Sequence, residues 1–79
     1  MDKTEHLKLD VLKAGESAVI QRIHADESLY QRLSALGFRV GKRIELVRHA
    51  SFNGPLHIRI GSTDVMMRRS EAARIHITP

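Results

Sequence analysis

The sequence predicts a small, mainly β domain with one helix inserted between strands, curled into a partly open β-barrel of about five strands. Three observations predict it. Helical periodicity is strong in one stretch, where Leu29, Leu33 and Leu36 recur at i, i+4 and i+7 and lay a single apolar stripe, with Gln31, Arg32, Ser34 and Ala35 largely off it. From Arg43 onward, apolar residues alternate with period two in short runs separated by turn signals. With 79 residues there is room for one core only, and curling a short sheet is how so small a chain buries one apolar face.

Each element follows in order. Residues 9–15 (Leu-Asp-Val-Leu-Lys-Ala-Gly) read as one helical turn stopped by a glycine. Residues 17–23 are rich in β-branched side chains and form a strand with Val19, Gln21 and Ile23 on one face and Ala18, Ile20 and Arg22 on the other. The polar link 24–28 leads into the helix, with Asp26 or Ser28 as N-cap. Gly37 follows the last stripe leucine, where a left-handed residue closes the helix in a Schellman motif and turns Phe38 back onto Leu33. Gly41 ends the next turn.

Residues 43–49 place Ile44, Leu46 and Arg48 on one strand face and Glu45 and Val47 on the other. The loop 50–55 contains Asn53-Gly54, a strong hairpin signal. Leu56, Ile58 and Ile60 alternate with His57 and Arg59, Gly61-Ser62 permits a reversal into residues 63–68, residues 70–73 form one helical turn, and Ile75 and Ile77 face inward on a last strand. The expected core is Leu29, Leu33, Leu36, Ile44, Leu46, Leu56, Ile58, Ile60, Val65, Met67, Ile75 and Ile77. No repeat and no linker divides the chain, so residues 1–79 are read as one domain.

Composition narrows the function. The chain has no cysteine, which removes disulfides, thiolate metal sites and cysteine nucleophiles. The first ten residues lack the apolar run of a signal peptide, and no window approaches the ~18 apolar residues of a membrane span, so the expectation is a soluble cytoplasmic protein. The net charge is +4, and it is uneven: residues 1–37 carry −1 and residues 38–79 carry +5. A basic half favours an acidic partner surface. Nucleic acid is one such surface, but the only aromatics are Tyr30, Phe38 and Phe52, and single-strand binders stack bases on several. Proline-rich peptides also dock in grooves lined by several aromatics.

The run Arg32-Leu33-Ser34-Ala35-Leu36-Gly37-Phe38-Arg39-Val40-Gly41 resembles the motif R-L-x-x-L-G-[apolar]-x-x-G of the FeoA family, small cytoplasmic accessory proteins of bacterial ferrous iron uptake. Residues 9–15 resemble that family's opening turn, residues 18–23 its first strand, residues 55–60 its middle strand, and Arg68-Arg69-Ser70-Glu71-Ala72 followed by Ile75 its R-R-x-E-A-x-x-I ending. The resemblance covers residues 9–77. Val40 departs from a frequent proline and Lys42 from a frequent small hydroxyl residue. The resemblance implies an SH3-like barrel with an inserted helix, and a partner: FeoB, a membrane ferrous-iron transporter with a cytoplasmic GTPase domain. It implies neither an enzyme, a cofactor nor a small-molecule substrate, and membrane contact only through the partner. Similar barrels close iron-dependent repressors, which add a DNA-reading domain that this chain lacks.

The chemistry agrees. Of His6, His24, His49, His57 and His76, no two lie within four residues, whereas a transition-metal site needs three or four ligands converging at about 2 Å. His57 and His76 occupy outward strand positions and could meet if their strands were neighbours. There is no G-x-S-x-G elbow, no close carboxylate pair and no G-x-x-x-x-G-K-[ST] loop, so neither nucleophilic catalysis nor nucleotide binding is expected of the chain itself. What remains is a contact surface. The inserted helix and its following turn interrupt a rigid scaffold, a common place for function, and the expected partner-binding residues are Tyr30, Arg32, Arg39 and Lys42, with Arg68 and Arg69. The alternatives left open are a small basic nucleic-acid-binding barrel, a stand-alone relative of the repressors' SH3-like domain, and self-association through exposed strand edges.

Overall fold

Asp26 opens the helix: its Oδ1 accepts the Leu29 N–H at 2.8 Å, satisfying one of the donors that a helix start leaves free. In the computed structural model, which describes residues 7–78, helix α1 runs Glu27–Ala35. Its exit is a Schellman closure. Gly37, at φ +101°, donates to Ser34 O at 3.0 Å, and Phe38 N–H donates to Leu33 O at 3.0 Å. Phe38 is thereby turned inward and is fully buried with Leu33.

The sheet has six antiparallel strands: β1 (Leu7–Lys8), β2 (Ser17–Ile23), β3 (Arg43–His49), β4 (Leu56–Ile60), β5 (Thr63–Met67) and β6 (Ile75–Thr78), in the order β1-β6-β2-β3-β4-β5. A 3₁₀ turn, Leu9–Val11, follows β1, and a short helix α2, Arg69–Ala72, precedes β6. The helix insertion is stitched back to the strand it left: Gly41 N–H donates to Ile20 O at 2.8 Å and Ile20 N–H to Lys42 O at 2.9 Å. Bulges between Ile20 and Arg22 and between Leu46 and Arg48 bend β2 and β3, which lets one apolar face wrap on itself.

The count of about five strands thus becomes six, because β1 is two residues long and too short to show a period. Nine of the twelve expected core residues are fully buried, while Leu29, Leu36 and Val65 pack partly buried against them. The core also takes Leu9, Ala18, Ile20, Phe38 and Ala72. The hairpin turn shifts by one residue from Asn53-Gly54: the left-handed residues are Phe52 (φ 56°) and Asn53 (φ 59°), and Gly54 closes the turn. Gly54 is needed for space rather than for φ, since a Cβ there would lie 2.9 Å from Ala50 Cβ.

Leu33→Ala removes the central knob of the one strong helical stripe and should lower stability by ~2–5 kcal/mol. Gly37→Ala should cost roughly 1–2 kcal/mol through the left-handed turn. Both are read from urea unfolding midpoints, and an unchanged midpoint for Leu33→Ala would contradict the helix-on-sheet packing.

Candidate protein-docking site

Beside α1, a groove of about 240 Å³ runs along β5 to the start of α2. Leu33 and Met67, both buried, form its floor, the half-buried Leu36 and Val65 its walls, and Met66, 61% exposed, its lip. Arg32 and Arg68 stand at its rim with Glu71. Among the described residues β5 is an edge strand, hydrogen-bonded to β4 alone, so this wall of the groove is the end of the sheet.

Glu71 organises the rim. One carboxylate oxygen accepts the Arg68 N–H at 3.1 Å and caps α2; the other pairs with the Arg32 guanidinium on α1, 39 residues away in the chain. The two helices are tied across the groove by one side chain. The Arg68 guanidinium itself makes no ion pair among the described residues, so the rim keeps one uncommitted positive charge.

The six expected contact residues fall in different places. Arg32 and Arg68 meet at the groove. Tyr30 is 49% exposed on α1. Arg39 and Lys42 are exposed in the turn after the helix, and Lys42 lines a separate cleft of about 350 Å³ with Ser17, Arg43, Glu45 and Arg59. Arg69 is half-buried and donates through Nη2 to His49 Nδ1 at 2.9 Å. Since His49 Nε2–H donates to the Leu12 carbonyl at 2.9 Å, this contact braces the 3₁₀ turn, β3 and α2 together. Sequence reasoning passed over Met66 and Glu71 as site residues; the R-R-x-E-A signature held Glu71, but nothing in the sequence points to its partner Arg32.

The histidines separate. β4 and β6 are not neighbours, so His57 and His76 do not meet. His76 instead packs edge-on against His24, with ring centroids 4.7 Å apart, and His57 Nε2 lies 3.1 Å from Asp64 Oδ2. His6 lies outside the described residues. Among the described residues no group of three or more His, Asp or Glu could hold a metal ion, and no helix is long and apolar enough to cross a membrane.

Asp64 anchors the outer face of β5. Arg59, its cross-strand partner, donates to both carboxylate oxygens, at 2.8 and 3.2 Å. The Arg59 hydrogen bonds first, and His57 second, hold the Asp64 carboxyl down to about 2 from its ordinary 3.8. A carboxyl with a depressed folded value adds stability above its unfolded value and loses it as pH falls through the folded one. Asp64→Asn should therefore make the loss of stability between about pH 4 and pH 2 shallower, measured as urea midpoint against pH; an identical slope would contradict the pairing.

These features define a class: a small antiparallel, SH3-like barrel carrying one inserted helix beside its edge strand. The FeoA domain model matches residues 7–79, and the chain belongs to the FeoA family. It is 34% identical over 71 residues to a Fe(2+) transport protein A/Fe(2+) transporter FeoB fusion protein of Porphyromonas gingivalis, covering 90% of this chain but 8% of that protein. It is 27% identical to a putative Fe(2+) transport protein A of Campylobacter jejuni, covering 90% of this chain and 96% of that one. The solution structure of an iron(II) transport protein A from Clostridium thermocellum superposes with TM-score 0.87 at 32% identity, over 91% of this chain and 44% of that one. A manganese-dependent transcriptional repressor shares the fold, with TM-score 0.85 at 19% identity, over 99% of this chain and 44% of that one.

Proposed function

We propose that the chain is a cytoplasmic accessory protein of ferrous iron uptake that docks on a FeoB-type transporter through the groove between α1, β5 and α2, and so modulates the transporter's activity or assembly. The observation that carries this is the groove itself: an apolar floor, a protruding methionine and an uncommitted arginine, flanked by two helices that Glu71 locks together. Rigid elements that expose a desolvatable apolar centre with a charged rim are the anatomy of a protein interface. The Porphyromonas gingivalis relative supports the choice of partner, because its name joins a transport protein A and FeoB in one fusion protein. The basic carboxyl half favours nucleic acid less than its charge suggests. Arg59 is paired with Asp64 and the half-buried Arg69 is held on His49, so neither is free to meet a phosphate.

Met66→Asp places a charge on the lip of the groove at an exposed position that the fold does not need. It should weaken binding to the cytoplasmic GTPase domain of the cognate FeoB-type transporter by about tenfold or more, measured by calorimetry at about 0.15 M salt, with the melting temperature unchanged. Arg39→Glu combined with Lys42→Glu tests the other exposed patch in the same assay. Loss of binding there, with Met66→Asp silent, would move the contact surface to the turn after the helix.

A further inference from the structure

Phe52 is the most exposed large apolar side chain among the described residues, at 101% relative accessibility, and its backbone is left-handed at φ 56°. Each fact is unfavourable alone. A bulky aromatic in that region is a steric outlier where asparagine or glycine fits, and the ring buries no surface that would offset the cost. Strain held in place by its surroundings, at an exposed position, points to function.

The tip is braced rather than loose. Ala50 N–H donates to Pro55 O and Gly54 N–H to Ser51 O, both at 3.1 Å, and the approach of Gly54 to Ala50 leaves no room for a Cβ. At its base, His49 is clamped between the Leu12 carbonyl and Arg69. The tip and the groove rim lie toward the same end of the sheet. His49, Leu56 and Met67 are successive cross-strand partners over β3, β4 and β5, so the hairpin rises from the end of the sheet at which Arg68 opens α2 on the groove rim. From residue 46 to residue 58 the chain carries no carboxylate, and Arg48 on the β3 arm of the hairpin is exposed.

We infer that the β3–β4 hairpin is an anchoring finger: Phe52 inserts into an apolar pocket, rimmed by acidic residues, on the protein partner that occupies the groove. The inference rests on the docking reading above and adds a second point of contact to it. A protein pocket is favoured over a lipid bilayer because one short apolar group gives only marginal membrane attachment. A single aromatic seated in a desolvated pocket can dominate an interface, and a braced one loses little freedom on binding.

The test uses the full chain, detergent-solubilised FeoB-type transporter from the same organism, and separately protein-free phosphatidylglycerol vesicles. Phe52→Asn suits the left-handed turn, so its melting temperature should equal or exceed that of the parent while affinity for the transporter falls tenfold or more. Parent and variant binding the transporter within twofold of each other would overturn the finger and leave the groove reading standing. No binding by the parent would overturn both. Phe52-dependent binding to the protein-free vesicles, with none to the transporter, would overturn the protein pocket in favour of a membrane contact.

Discussion

The left-handed turn at Gly37 is the constraint on which the rest of the molecule depends. It ends α1 after nine residues, lets Leu33 O receive the Phe38 N–H, and rotates the Phe38 ring into the core beside Leu33. Without it the helix would have no fixed exit. The following residues could not return to β2, where Gly41 and Lys42 bond Ile20 on both sides. The same turn leaves Leu36, the C-cap residue, half-buried on the groove wall. One backbone conformation therefore sets both the seating of the helix and the shape of the surface beside it.

Charge plays a positioning role more than a stabilising one. The Arg32–Glu71 pair has an exposed arginine and a mostly covered carboxylate, and exposed ion pairs are worth about 0–1 kcal/mol. Its value is geometric. Glu71 caps α2 and reaches α1 at once, so one side chain links the two helices at the groove rim. Arg59 and Asp64 likewise pin β5, an edge strand, to β4 by a bidentate contact on the outer face. A charged, short edge is also a poor template for unwanted strand pairing. The groove is thus held between pinned elements while its apolar centre stays open.

The fold was largely legible because local signals and tertiary demands agree in it. Leu29, Leu33 and Leu36 marked the helix, Gly37 its end, and Leu56, Ile58 and Ile60 a strand whose inward face is fully buried. The misses have physical causes. Leu9 and Ala72 look unremarkable in sequence and are buried because the 3₁₀ turn and α2 pack together over the barrel. The hairpin turn is displaced from Asn53-Gly54: Gly54 lies against Ala50, and the positive φ values fall on Phe52 and Asn53. For the site, Arg32 could be picked as a basic residue of the insertion and Arg68 as one before the final helical turn. Their convergence on Glu71 could not, since it joins positions 39 residues apart. Arg69 shows the opposite: a charge that reads as a contact residue is half-buried on His49.

The central claim is that one face of a rigid barrel, bounded by α1, β5 and α2, is where a partner sits. Its most direct test is an amide NMR titration of the labelled chain with the cytoplasmic GTPase domain of the cognate FeoB-type transporter. Shifts concentrated at Leu36, Val65, Met66, Arg68 and Glu71, with the amides of β2 and β6 unmoved, are the predicted result. Shifts confined to the cleft lined by Ser17, Lys42, Arg43 and Glu45, or no shifts at saturating partner, would contradict it.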